Sequence, residues 1–95
     1  MLVLSRKLGE CFVINDEAAV SIAVIGRGFV ELSITDLHGN FRGTAAISQR
    51  ELSPVFAGVW AVVVRIAGDK VRLGLESRAG GSIDRKENWS PTLRF

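Results

Sequence analysis

The sequence predicts an all-β fold on three observations. β-Branched and aliphatic residues alternate repeatedly with polar ones, Gly-containing turns arrive at short intervals, and the whole pattern starts again at Val59. Met1 to Lys7 opens the chain as a strand that sends Leu2, Leu4 and Arg6 to one side and Val3, Ser5 and Lys7 to the other. Gly9 then lets the chain turn back at once. Strands follow at Cys11 to Ile14, Ala19 to Ile25, Phe29 to Thr35 and Gly43 to Ser48. Asn15-Asp16 and Gly26-Arg27-Gly28 are compact hairpin connections, whereas Asp36 to Arg42 is a longer polar loop. Gln49 to Leu52 has room for one helical turn before Pro54, which disfavours a helix in the residue ahead of it. The second series gives strands at Val59 to Ile66, Lys70 to Glu76 and Gly81 to Arg85, for about eight short strands in all.

At 95 residues the chain is one compact domain's worth, and 47% hydrophobic residues is ample for a small core. The formal charge of +2 is mildly basic, compatible with RNA but far from a histone-like density. The apolar run Val59 to Val64 stops at Arg65, too short to span a bilayer, so no membrane partner is expected and the chain reads as cytoplasmic. The single Cys11 cannot form an internal disulfide and is given no functional role.

The restart at Val59 is an internal repeat. Ile25, Val30, Leu32 and Ile34 match Ile66, Val71, Leu73 and Leu75 at one constant offset, which places apolar side chains on equivalent faces. After a shorter loop, Ile47-Ser48-Gln49-Arg50-Glu51 lines up with Ile83-Asp84-Arg85-Lys86-Glu87, and both copies reach Ser-Pro, at Ser53-Pro54 and Ser90-Pro91. The first copy spans residues 1–52 and the second 57–90, with 91–95 as a tail. The stretch between Ser53 and Gly58 leaves no room for counterparts of the first two strands.

The opening Met1-Leu2-Val3-Leu4-Ser5-Arg6-Lys7-Leu8-Gly9-Glu10 resembles the N-terminal signature of the carbon storage regulator (CsrA/RsmA) family of RNA-binding translational regulators. Val71-Arg72-Leu73-Gly74-Leu75 is similar to that family's fourth strand. Ile83-Asp84-Arg85-Lys86-Glu87 resembles its fifth strand and helix start, with Asp84 where the family tends to have His. The resemblance implies an intertwined sandwich or barrel in which the first strand of one copy and the fifth of the other form an RNA site. A single chain would then imitate the family's homodimer, bringing Leu4, Ser5, Arg6 and Lys7 beside Ile83, Arg85 and Lys86.

Two cationic strand ends side by side attract phosphates, while backbone groups along the edges reach base edges in a single-stranded loop. By resemblance the target is a GGA-containing hairpin loop in an mRNA leader or a small regulatory RNA. Arg6 and Arg85 are expected to dominate binding, Leu4 and Ile83 to shape the groove, and Lys7 and Lys86 to add phosphate attraction. The second site is expected to be dead, because Gln49 stands where Arg85 does and its first strand is missing. Asp84 would repel phosphate unless it orients a neighbouring cation. Trp60 reads as a core or interface anchor, and Trp89 as the better candidate for touching nucleic acid.

Enzymatic chemistry is not expected. His38 is the sole histidine, in a Gly/Asn loop, and no nucleophile is placed beside a base. One Cys and one His give no metal-ligand spacing, and no cofactor is implied. The competing reading is a protein-binding module whose RNA surface has decayed, with a protein antagonist as precedent in the family. In either case the chain is expected as a monomeric pseudo-dimer, or as a homodimer joined through an open sheet edge.

Overall fold

The computed structural model describes residues 1–78 and 82–85. It is all-β, with nine strands: β1 (Leu2–Lys7), β2 (Cys11–Ile14), β3 (Ala18–Ile25), β4 (Phe29–Asp36), β5 (Phe41–Ser48), β6 (Ser53–Phe56), β7 (Val59–Ala67), β8 (Lys70–Ser77) and β9 (Ile83–Arg85). They form two antiparallel sheets, β1-β8-β7-β6 and β5-β4-β3-β2-β9. Both sheets are open, so the architecture is a sandwich and not a closed barrel. The inward residues of the alternating strands, among them Leu4, Phe12, Ile14, Val20, Leu32, Ile47, Val63 and Leu73, fuse into one buried core. Each of the larger ones contributes about 1.5–3 kcal/mol by leaving water.

The two copies fold alike. Shifted by 41 residues, the distance from Ile25 to Ile66, the pairing of β3 with β4 becomes that of β7 with β8. Ile22↔Leu32 corresponds to Val63↔Leu73, and Val24↔Glu31 to Arg65↔Arg72. A bulge falls at the same place in both, between Ile22 and Val24 and between Val63 and Arg65. β1 and β9 are exchanged between the copies: β1 pairs with β8 of the second, and β9 with β2 of the first.

Three expectations need correction. Ser53 to Phe56 does form a strand, β6, and it lies against β7 as β2 lies against β3. Pro54 concealed it, yet Pro is tolerated on an edge strand, where no outward N–H is required. Gln49 to Leu52 is a bend and not a helical turn, and no helix occurs among the described residues. Finally, β5 does not cross to the other sheet. It folds back on its own β4, with Val30↔Ile47, Leu32↔Ala45 and Ile34↔Gly43.

The loop ahead of β5 is held by hydrogen bonds that favour this local pairing. Asp36 Oδ1 accepts hydrogen bonds from the backbone N–H groups of His38 and Asn40, both at 2.9 Å. Asp36 Oδ2 accepts from Asn40 Nδ2 at 3.0 Å. A carboxylate that ties the turn together makes the local hairpin cheap to close. In the second copy the corresponding position is Ser77, which has no carboxylate.

Candidate nucleic-acid interface

β1 and β9 are the end strands of their sheets and border one side of the sandwich. Ile83 pairs with Ile14, and together with Met1, Leu2, Leu75, Glu76 and Ser77 it lines an open hollow of about 320 Å³. At the other end of β2, Arg85 pairs with Phe12, while the neighbouring Cys11 carbonyl accepts a hydrogen bond from Arg6 Nη1 at 3.1 Å. The N-terminal end of β1 therefore meets Ile83, and its C-terminal end meets the backbone beside Arg85.

Arg6 is only 6% exposed. Alternation along β1 turns it inward, and its Nε donates to the Ser5 carbonyl at 2.8 Å. Glu10 Oε1 lies 4.0 Å from Nε and also accepts the Lys7 N–H at 2.7 Å. Gly9, at φ 85°, makes the reversal that an L side chain would strain. The corner is closed by Leu8 N–H donating to the Asp69 carbonyl at 2.9 Å and Gly9 N–H to the Ile22 carbonyl at 2.9 Å. Arg6 is thus a buried guanidinium that pins β1 to the start of β2.

Leu4 is fully buried and supports the edge from the core instead of lining a groove. Ser5 and Lys7 take the opposite, outer face of the sheet. Ser5 stands across from Arg72, and exposed Lys7 across from Lys70. Asp84 is half-buried and pairs with Val13. The Arg85 side chain, Lys86, Glu87, Trp89 and the tail 91–95 lie outside the described residues. Trp60 is not in the core: it is half-buried on the outer face of β7, with the Arg78 guanidinium 4.2 Å from its ring centroid.

The opposite side of the sandwich has different chemistry. β8 corresponds to β4, so β5 occupies beside β4 the place that β1 holds beside β8. Through the registers, Ile47 stands where Arg6 does, Ala45 where Leu4 does and Ser48 where Lys7 does. The first strand of the second site is therefore not missing but replaced, and the replacement lacks the guanidinium. Among the described residues no strand continues the four-stranded sheet beyond β6, where the five-stranded sheet continues from β2 to β9.

Three cations escaped notice in the sequence: Arg65, Lys70 and Arg72 converge with Ser5 on the outer face of the four-stranded sheet. Only the register brings them together, because the bulge at Val64 shifts Arg65 opposite Arg72.

No protein-family model, curated protein or solved structure matches the chain. Among the described residues no helix is long and apolar enough to cross a membrane.

Proposed function

We propose that the chain is a cytoplasmic post-transcriptional regulator that binds GGA-containing single-stranded RNA loops along the β1/β9 side of the sandwich. The observation that carries this reading is the meeting of β1 and β9. Two strands from opposite ends of the sequence, each ending in cations, border one side of one chain, while the equivalent opposite edge carries Ile47 in place of Arg6. Lys7 and Lys86 attract phosphate, and Arg85 offers a planar donor fork for a base edge or a phosphate. Leu2 and Ile83 supply an apolar floor on which an unpaired base can rest. Arg6 holds the β1 corner, Leu4 supports it from the core, and Ser5 adds a hydroxyl on the outer face.

The test is titration with a GGA-loop hairpin and a matched CCA-loop control at fixed salt. Tight binding to GGA alone, at one hairpin per chain, is expected, and Arg85→Ala should weaken it by about 1–3 kcal/mol. Equal, weak, salt-sensitive binding to both hairpins would end this reading. The competing protein-binding reading rests on exposed Met1, Leu2 and Val3, which leave an apolar patch at the head of the same edge.

A further inference from the structure

The outer face of the four-stranded sheet holds a second feature, on the far side of β1 from the core. Ser5, Arg65, Ala67, Lys70 and Arg72 line a hollow of about 140 Å³. Arg72 stands directly opposite both Ser5 on β1 and Arg65 on β7, and Lys7 stands opposite Lys70. Like charges facing each other across strands are destabilising, and no carboxylate lines the hollow to offset them. Among the described residues neither Arg65, Lys70 nor Arg72 has an ion pair.

The first copy supplies an internal control. At the equivalent places it has Val24 for Arg65, Phe29 for Lys70, Glu31 for Arg72 and Gly26 for Ala67. There the Phe29 ring covers Gly26 so closely that a Cβ would collide with it. The same backbone is thus capped by an aromatic ring in one copy and left as an open cationic hollow in the other. The cations are a feature of one copy and not a requirement of the fold.

We infer that the Ser5/Arg65/Lys70/Arg72 hollow is a phosphate subsite that holds the sugar-phosphate backbone of an RNA strand where it crosses β1 from the β1/β9 side. Two guanidinium forks, an ammonium and a hydroxyl match the oxygens of a phosphodiester, and because they meet no base they add affinity without sequence preference. This inference rests on the RNA-binding reading, yet it is separable from it, since the subsite acts alike on any sequence.

Arg65 and Arg72 are exposed, so the double variant Arg65→Val/Arg72→Gln can be made without touching the core. It should weaken binding to the GGA and CCA hairpins by the same factor, roughly tenfold, and lower the slope of log K against log salt by about 1.4. The charge-matched variant Arg27→Gln/Arg50→Gln, on exposed residues away from the hollow, should leave the slope near wild type. Unchanged affinity and slope in the first variant, or an equal loss in the second, would overturn the subsite while leaving any GGA preference intact. If wild type binds GGA and CCA alike but the first variant still loses affinity and slope, the subsite stands and the sequence-selective reading falls. No RNA binding at all, or displacement of RNA by a polyglutamate peptide at equal charge concentration, would overturn the subsite in favour of an acidic protein partner.

Discussion

Arg6 is a cation in a place where a strand facing a core normally carries an aliphatic side chain, and its counterpart Ile47 shows what that choice costs and provides. Ile47 contributes apolar burial and nothing else. Arg6 spends its donors on the Ser5 and Cys11 carbonyls and so fixes a corner. The strict alternation of the first seven residues gave the side of β1 on which Arg6 lies, but neither its burial nor its partners, because these depend on how tightly β1 turns into β2. Asp36 makes a comparable local investment. Hydrogen bonds from the Asn40 backbone and side chain hold its carboxyl below the usual carboxylate range, with His38 N–H and the Arg42 guanidinium acting in the same direction. A depressed folded-state value gives stability that is present above the ordinary carboxylate range and lost as pH falls through the lowered value. Thermal melts of wild type and Asp36→Ala should therefore differ near neutral pH and converge once Asp36 is protonated in both states. A gap that persists unchanged into strong acid would show that the carboxylate does not tie the β4–β5 turn.

At the scale of elements, the strand bodies were readable and the partners were not. Alternation and Gly-rich turns give the extent of β3, β4, β7 and β8 to within a residue or two, since those patterns are local. Whether a fifth strand pairs with its neighbour or crosses to the other sheet depends on the cost of closing each loop, which alternation does not report; Asp36 ties the β4–β5 turn from within. β6 was hidden because Pro54 reads as a break. The β6–β7 hairpin has one visible weakness. Its two-residue turn puts Ala57 at φ 47° and Gly58 at φ 79°, where the β2–β3 turn uses Asn15 and Asp16 at φ 52° and 58°. Left-handed backbone at Ala costs roughly 1–2 kcal/mol, and Asn relieves part of that. Ala57→Asn should raise stability by about 0.5–1 kcal/mol in a denaturant melt. A fall in the midpoint would mean that the strain at Ala57 is not there to be relieved.

For the whole molecule, the repeat was visible in sequence as one constant offset, and in the fold it extends to matched registers and matched bulges. The asymmetry was visible only in part. Gln49 suggested a dead second site, whereas the larger difference is Ile47 in the place of Arg6 and the absence, among the described residues, of a strand beyond β6. Under the proposed function, a chain with one RNA-binding edge gains nothing from a transcript that offers two hairpins. An RNA with two GGA hairpins on a flexible linker should bind with the same affinity per hairpin as either alone, and each should take up its own chain. An affinity gain of tenfold or more for the tandem RNA, at one protein per RNA, would reveal a second working edge.

The exchange of β1 and β9 between copies of one chain has a further consequence, for dilution. Where two separate subunits trade end strands, the edge between them exists only as long as the subunits remain associated, and it dissolves as protein concentration falls. Here both strands belong to the same covalent chain, so assembling the edge is a unimolecular step. The fraction of molecules with an intact β1/β9 side is then the same at picomolar as at micromolar concentration, and a cell holding a handful of copies has as complete a set of edges as one holding thousands.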